Sequence, residues 1–163
     1  MTESPSIQRA LNEVDMTYAE LIEIANDILE NVAGDVNELV REIQSRAESL
    51  SNEDIRAYMV KLALKSYSFS EIKEKAAFKA TLSETIRKNA YAKTFGEMTG
   101  SVAAKESQAI LQTSEEVLAE ALYELVASLF KTKLDEAHRV VDVLKTTIMS
   151  RMQEAKLTQI EEA

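Results

Sequence analysis

Very few residues in this chain can interrupt a helix. Its 163 residues include one proline, Pro5, and three glycines, and runs of β-branched residues typical of strands are almost absent. Residues that lose little conformational freedom on entering a helix, such as Ala, Leu, Glu and Lys, are common instead. We therefore predict an all-α fold of single-domain length, in which 45% hydrophobic residues are enough to form a core.

The longest regular apolar pattern lies in the last third of the chain. Between Leu118 and Ile148, large apolar residues recur at alternating steps of four and three, with one phase shift after Leu129. This spacing is typical of a coiled coil or helical bundle. We predict a long coiled-coil-like helix over 113–157, about 60 Å in length. Its flank must be covered either by earlier helices of the chain or by other copies.

Of these two possibilities we favour other copies, because we expect the long helix to exceed what the rest of the chain can cover. The sequence thus predicts a homo-oligomer held together along the apolar seam. The predicted oligomerisation residues are Leu118, Leu122, Leu125, Leu129, Leu134, Val141, Leu144 and Ile148.

Local start and stop signals divide the first part of the chain. Residues 1–14 are polar and contain the proline, so we predict a flexible arm there and a single helical domain over 15–163. Acidic helices would occupy 15–60. Gly34 follows the first apolar stripe and is the residue type that most often ends a helix. We therefore expect the first helix to stop at Gly34.

The middle of the chain has further boundary signals. Ser51 and Asp54 have the spacing of a capping box, which predicts a helix start. A basic helical segment would then cover 61–105. Serines compete for backbone hydrogen bonds, so the SYSFS stretch at 66–70 predicts a bend or break. Two glycines within 96–100 predict a turn or kink, and residues 102–111 then form either a short helix or a continuation beyond the kink.

Charge is distributed in three blocks that the net value of −9 conceals. Residues 1–60 hold thirteen acidic and four basic side chains, and residues 106–163 hold eleven and six. Residues 61–105 reverse the sign, with nine basic against four acidic side chains. An acidic protein has no long-range attraction to phosphate unless its charges are sorted in space, so this reversal is the sequence's main functional signal.

The basic block is also rich in aromatic residues. Cations can follow phosphates while rings stack on bases, so this mixture favours a surface for single-stranded nucleic acid. A lysine-rich helix with its own core aromatics, or a face that docks an acidic protein, would show the same pattern. We expect Tyr67, Phe69, Tyr91 and Phe95 near helix ends, where rings can be exposed, and Phe78 in the core. The candidate nucleic-acid-binding residues are Lys61, Lys65, Lys73, Lys75, Lys79, Arg87, Lys88, Tyr91, Lys93 and Phe95.

Catalysis and metal binding have little support in the sequence. There is no cysteine, and the only histidine, His138, has just helical carboxylates such as Asp135 and Asp142 nearby. No phosphate-binding loop, dinucleotide fingerprint or nucleophile elbow is present. We expect a non-enzymatic protein without catalytic residues, metal or cofactor. The N-terminus does not resemble a secretory signal, and no apolar run reaches the roughly 18–20 residues that span a bilayer, so we expect a soluble cytoplasmic protein without membrane contact.

The order of elements resembles a known family. A Lys- and aromatic-rich helix leads into the stretch IRKNAYAKTFGEMTGS at 86–101, and a long heptad-bearing helix follows. This organisation, over about residues 55–150, resembles the UvsY-type recombination mediators of bacteriophages and other small helical proteins of phage recombination clusters. The acidic residues 1–60 depart from the family's pattern.

The resemblance implies a role in DNA recombination inside a phage-infected bacterial cell. In that family the basic helical segment binds single-stranded DNA, and the C-terminal helices assemble a ring-like oligomer that helps to load recombinase onto DNA coated by single-strand-binding protein. Recombinase and single-strand-binding protein are therefore the implied protein partners. The positions that would take the DNA role here are Lys73, Lys75, Lys79, Arg87, Lys88 and Lys93.

The leading hypothesis from the sequence is an oligomeric recombination accessory protein that binds single-stranded DNA and assists the loading of a recombinase or annealing protein. A second hypothesis is an acidic protein-binding inhibitor or adaptor, such as a phage host-takeover factor, whose helices mimic nucleic acid or cover a basic partner. A third is a structural or scaffolding protein whose long helix simply assembles.

Overall fold

A computed structural model of the chain describes residues 5–46 and 49–161. The prediction of an all-α fold is confirmed: the described residues form four helices and contain no strand. Three of these helices are long, at 42, 46 and 48 residues, and one is short, at 11 residues. The helices are α1 (Pro5–Arg46), α2 (Asn52–Glu97), α3 (Val102–Gln112) and α4 (Ser114–Glu161).

The start of α2 has the predicted capping box. The backbone N–H of Asp54 donates to the Ser51 hydroxyl at 3.1 Å, and the backbone N–H of Ser51 donates to the Asp54 carboxylate at 3.1 Å. These reciprocal bonds satisfy donors that the first turn of a helix otherwise leaves without partners. The carboxylate also accepts from the Ser51 hydroxyl at 2.7 Å, and these bonds lower the pKa of Asp54 below its ordinary value.

The predicted turn after α2 is also confirmed, and a short helix follows it. Gly100 has φ of +128°, a backbone conformation that other residues rarely adopt. Ser101 then caps α3, with its side-chain oxygen accepting from the backbone N–H of Ala104 at 3.3 Å. Thr113 separates α3 from α4, and its buried hydroxyl donates to the Ala109 carbonyl at 3.0 Å. The short helix and the long one therefore follow each other with a single residue between them.

The first helix begins earlier and runs further than the sequence signals predicted. α1 starts at Pro5, so residues 5–14 of the predicted arm are helical, whereas residues 1–4 lie outside the described range. Proline is tolerated in the first turn because its missing N–H would have no helical partner there. Gly34 does not end the helix: it lies inside α1, where buried Ala33 and Val36 continue the apolar stripe past it. Packing on both sides of Gly34 outweighs the cost of about 1 kcal/mol that glycine brings to a helix interior.

The predicted break at residues 66–70 is also wrong, since α2 is helical throughout this stretch. Phe69 is only 1% exposed and Ser66 6%, so this face of the helix packs into the core. Burial of an aromatic side chain contributes a few kcal/mol, which exceeds the weak preference of serines for caps and turns.

The chain forms two compact units, and the boundaries between them fall within α1, α2 and α4. Unit 2 comprises Glu30–Ile72 and Phe130–Ala163. Its core contains bulky side chains: the rings of Phe69 and Phe130 meet edge to face with centroids 5.8 Å apart, and Ile55 and Leu62 are almost fully buried. This is an arrangement that aromatic pairs prefer.

Polar contacts connect the helical segments of unit 2. The ammonium group of Lys65 on α2 pairs with the carboxylate of Asp35 on α1 and lowers the pKa of Asp35. From α4, the guanidinium of Arg151 donates to the backbone carbonyl of Leu50 at 2.6 Å and to the side chain of Asn52 at 3.3 Å. Arg151 thus links α4 to the connection between α1 and α2 in unit 2.

Unit 1 comprises Met1–Leu29 and Lys73–Leu129. Among the residues of unit 1 whose side chains the structure describes, the buried ones are mostly small. Between α2 and α4, the guanidinium of Arg87 donates to the Glu120 carboxylate at 2.8 Å, and between α2 and α3 the hydroxyl of Thr94 donates to Gln112 at 3.2 Å. From Thr17 onward, the buried apolar residues of unit 1 are Ala25, Leu29, Ala76, Ala80, Ala109 and Val126.

The apolar seam of α4 packs against the chain's own helices. In unit 2 Leu144 is buried, and in unit 1 Leu118 is the most exposed seam residue at 42%. α1 and α2 are nearly as long as α4, so long helices of the same chain are present beside the seam. Self-assembly through the seam stays a prediction. The half-buried members of the seam are Leu122, Leu125, Leu129, Leu134, Val141 and Ile148.

Candidate nucleic-acid interface on the second helix

All ten predicted nucleic-acid-binding residues lie on α2, but they do not share one face. Five are half-buried: Lys65, Lys73, Arg87, Tyr91 and Phe95. The other five are exposed: Lys61, Lys75, Lys79, Lys88 and Lys93. The structure therefore divides the predicted site into residues that pack within the chain and residues that face solvent.

In unit 1, one face of α2 combines lysines with large apolar side chains that are all exposed. Phe78 is 70% exposed, Leu82 47% and Ile86 49%, and they follow each other at steps of four. Residues three and four apart on a helix are surface neighbours, so the three apolar side chains, Lys75 and Lys79 form a continuous line, and Lys93 lies on the same face two turns further along. We call this line the outer strip; its members are Lys75, Phe78, Lys79, Leu82, Ile86 and Lys93.

Phe78 and Phe69 exchange the roles that we expected of them. Phe78, expected in the core, is exposed, and Phe69, expected near a helix end, is buried against Phe130. The buried face of α2 in unit 1 is instead formed by Ala76 and Ala80. The sequence contains a signal for this, because Phe78, Leu82 and Ile86 repeat at i, i+4, i+8, out of phase with the alanines. When the alanines and the large apolar residues are treated as one imperfect apolar stripe, the three large residues are assigned to the core and are not recognised as site residues.

Ion pairs engage several of the predicted basic residues. Arg87 is held by Glu120, which raises the pKa of Arg87, and both side chains are largely covered. Lys88 pairs with Glu84 one turn earlier and lowers the pKa of that carboxyl. Lys73 pairs with its neighbour Glu74 at 2.9 Å. The Arg87 contact bridges two helices and is structural, whereas exposed pairs such as Lys88–Glu84 contribute little and can exchange a carboxylate for a phosphate.

Aromatic rings hold other lysines in place. The Lys79 ammonium lies 5.1 Å from the centre of the Tyr123 ring, which fixes Lys79 beside α4 while it remains exposed. Tyr91 and Phe95 stack on each other at 6.2 Å, and Lys105 lies 5.7 Å from the centre of the Phe95 ring. The two rings that we predicted to stack on bases therefore have partners within unit 1. Among the rings of α2 in this unit, Phe78 is the one most open to a base.

The part of α2 that belongs to unit 2 has its own exposed apolar residues. Val60, Leu64 and Tyr67 are 60%, 67% and 77% exposed, at steps of four and three. Lys61 lies 5.6 Å from the centre of the Tyr58 ring, and Lys65 is paired with Asp35. This half of the helix has two exposed basic residues, Arg56 and Lys61, whereas the outer strip has three.

A second charged surface of unit 1 lies on α1. Glu20, Glu23 and Asp27 are exposed and follow each other at steps of three and four, so they share one face of the helix. Ile24 lies beside them and is 46% exposed. No basic residue occurs between Thr17 and Leu29. We call Glu20, Glu23, Ile24 and Asp27 the acidic face.

Neither a metal site nor a membrane span is found in the described part of the chain. His138 is exposed on α4, and no group of three or more potential metal-ligating side chains occurs among the residues that the structure describes. Within the same residues, no helix combines the length and apolar character needed to cross a bilayer.

Comparison with known proteins adds no assignment to this geometry. No protein-family model matches the sequence, and no curated protein or solved structure matches it either.

Proposed function

We propose that the protein binds single-stranded nucleic acid on the outer strip of α2 and acts as a non-enzymatic accessory protein in DNA recombination. The observation that carries this proposal is the exposed side chain of Phe78, with the exposed residues Lys75 and Lys79 beside it on the same face of α2. A ring open to solvent can stack on a base of any sequence, and flanking lysines can neutralise the adjacent phosphates. Lys93 extends the line of cations toward the end of α2.

The local charge supports this surface despite the acidity of the whole chain. Residues 73–97 carry six basic and three acidic side chains, and two of the acidic ones, Glu74 and Glu84, are neutralised by neighbouring lysines. Three exposed lysines on the outer strip would contact about three phosphates, which makes binding modest and strongly dependent on salt. Such affinity suits a protein that hands single strands to another protein rather than one that coats them.

The resemblance to UvsY-type mediators supplies the biological context of the proposal. In that context the chain assists a recombinase or annealing protein on single-stranded DNA coated by single-strand-binding protein. Its site residues are fewer than the resemblance implies, because the six basic residues do not share one exposed face. We assign the DNA role to Lys75, Lys79 and Lys93, which are exposed and lie on the same face of α2.

Fluorescence anisotropy with a labelled single-stranded oligonucleotide tests this function. We expect binding at about 50 mM salt that weakens at least tenfold at about 200 mM. Changing Lys75, Lys79 and Lys93 to Glu should abolish binding, and Phe78→Ala should weaken it by about 1–3 kcal/mol through loss of stacking. Helicity should be unchanged in both variants, since all four side chains are exposed.

A matched control distinguishes the effect of the proposed site on binding from the effect of net charge. Lys131, Lys145 and Lys156 are exposed lysines of α4, so changing all three to Glu alters the charge by the same amount elsewhere. This control should weaken binding far less than the change in the outer strip. No binding of the wild type at 50 mM salt, or an equal loss in both triple variants, would refute the proposed site.

A second candidate function is an adaptor or inhibitor that binds protein. The acidic face of α1 favours it, because three carboxylates in a row can cover a basic partner surface or imitate a phosphate backbone. Under this candidate Glu20, Glu23 and Asp27, rather than the lysines, would carry the activity. An oligonucleotide that fails to bind would favour this candidate over the first.

A further inference from the structure

The outer strip exposes more apolar surface than nucleic acid requires. Leu82 and Ile86 offer no ring for stacking and no charge for a phosphate, yet each is about half exposed beside Phe78. Unit 1 meanwhile buries alanines such as Ala76 and Ala80 on another face of the same helix. Exposed apolar side chains in a continuous line are a common mark of a surface that another protein covers. The lysines beside the line indicate that this partner is acidic.

The chain itself offers an acidic helix face of complementary charge. Glu20 and Asp27 are seven residues apart, so the acidic face extends over about 10 Å, which is enough to reach both Lys75 and Lys79, about 6 Å apart along the outer strip. Ile24 adds an exposed apolar side chain next to the carboxylates, as a partner of an apolar strip requires. Both faces belong to unit 1, and every side chain named in them is exposed within a single copy.

We propose that the acidic face of one copy docks on the outer strip of a second copy, and that this contact competes with single-stranded nucleic acid for the strip. The self-docking follows from the two faces alone, whereas the competition rests on the proposed function. In the docked state Glu20, Glu23 and Asp27 stand where phosphates would otherwise bind the lysines.

The contact joins two different faces, so each copy has one face of each kind to offer. Two copies can close on each other through two equivalent contacts, or more copies can close into a ring. In either arrangement the contact between copies is formed by α1 and α2. It does not require the predicted role of Leu118 to Ile148 in assembly.

A charge-swap experiment tests the docking directly. One variant carries Glu20→Lys, Glu23→Lys and Asp27→Lys; the other carries Lys75→Glu and Lys79→Glu. Light scattering at tens of micromolar protein and low salt should give a mass above the 18.2 kDa of one chain for the wild type and about one chain's mass for each variant alone. An equimolar mixture of the two variants should regain a higher mass, because the basic α1 face of one variant fits the acidic strip of the other.

The recovery on mixing is the result that distinguishes docking from a general effect of charge. A control with Glu124, Asp135 and Glu154 changed to Lys has the same net charge as the first variant and should still assemble like the wild type. A wild type of one chain's mass under these conditions, or a mixture that stays at one chain's mass, would overturn the proposal. Should the Lys variant lose helicity, the milder set Glu20→Gln, Glu23→Gln and Asp27→Asn must still reduce the mass.

Oligonucleotide binding by the same proteins separates the two proposals. At concentrations where the wild type is assembled, the α1 variant should bind the labelled strand about threefold or more tightly than the charge-matched control, because its strip is no longer occupied. Equal binding by the two would refute competition. If none of the proteins binds the strand but mixing restores assembly, the docking stands and the nucleic-acid function fails.

Discussion

The two units of this protein have cores of different composition. Unit 2 has bulky side chains in its core, where Phe69, Phe130, Ile55 and Leu62 are all less than 2% exposed, although Leu64 and Tyr67 of the same unit are exposed. In unit 1 the described core is built mainly from alanines, while large side chains such as Phe78 face solvent. The same helix, α2, contributes to both units and changes its pattern between them.

This difference indicates which unit contributes most to stability and which unit offers a surface for binding. A buried Phe or Leu contributes about 1.5–3 kcal/mol by leaving water, and a buried alanine contributes much less, so unit 2 should supply most of the hydrophobic stabilisation. Alanines allow helices to approach closely but leave the bulky side chains on the outside. Unit 1 therefore has the apolar and charged surface that ligands or other copies can use.

The largest expected effect contrasts two phenylalanines on one helix. Phe69→Ala removes a ring packed against Phe130 and should lower the free energy of unfolding by about 3–5 kcal/mol. Phe78→Ala removes a ring that is 70% exposed and should change it by no more than about 0.5 kcal/mol. Urea denaturation followed by circular dichroism measures both. Similar losses in the two variants would show that unit 1 depends on its outer side chains, and the contrast between the units would disappear.

The second prediction concerns the alanine core of unit 1. Ala80 is 7% exposed, so Ala80→Leu adds three carbons where helices already meet closely. Overpacking of this kind should cost about 1–3 kcal/mol in the free energy of unfolding. Ala92 lies on the same helix in the same unit and is exposed, so Ala92→Leu should have almost no effect. A neutral or stabilising Ala80→Leu would mean that unit 1 contains space that its alanines do not fill.

The helical class and the capped boundaries are predictable from the sequence because they depend on local chemistry. The box at Ser51 and the cap at Ser101 each satisfy backbone groups three residues away, and the turn at Gly100 uses a positive φ that glycine adopts readily. The breaks predicted at Gly34 and Ser66 are wrong because tertiary packing decides the conformation there. Val36 and Phe69 nearby are buried, and that burial outweighs the local preference of a single residue.

The candidate site is only partly predictable for the same reason. The positions of charged residues in the sequence locate the basic block. The ion pairs and ring contacts that each residue forms depend on which helix lies opposite it. The sequence cannot show that Arg87 meets Glu120 across 33 residues or that Lys79 lies beside the Tyr123 ring. Exposure of Phe78 follows from the choice of buried face, which the alanines determine and which the positions of large apolar residues alone do not reveal.

The third prediction uses two glycines with opposite backbone requirements. Gly34 lies inside α1, and an added methyl group would meet no neighbouring atom within 4 Å, so Gly34→Ala should stabilise unit 2 by about 0.5–1 kcal/mol. Gly100 in unit 1 has φ of +128°, so Gly100→Ala should destabilise despite equally open space. Urea midpoints of the two variants should therefore shift in opposite directions. A loss of stability in Gly34→Ala would indicate that α1 bends at this residue to pack unit 2.

The smallest expected effect is the response of unit 2 to acid. Hydrogen bonds from Ser51 lower the pKa of Asp54, and the bond and charge of Lys65 lower that of Asp35, in each case below the ordinary value of 3.8. A carboxyl whose pKa is lowered in the folded state stabilises the fold above its unfolded pKa, and this contribution disappears as the pH falls through the folded pKa. Stability should therefore fall between about pH 5 and pH 3.

Neutral variants identify the source of that fall. Asp54→Asn keeps an oxygen that can accept from Ser51 but cannot be protonated in this range, and Asp35→Asn removes the ion pair with Lys65. Urea midpoints at pH 6 and pH 3 should therefore differ less in each variant than in the wild type. Glu84→Gln provides the comparison in unit 1, because its partner Lys88 lies on the same helix and links no second segment. The prediction would be contradicted if Glu84→Gln reduced the difference between the two midpoints as much as the two Asp variants together. That outcome would mean that both units are equally sensitive to acid, and that the capping box and the Lys65–Asp35 ion pair give unit 2 no special dependence on its carboxylates.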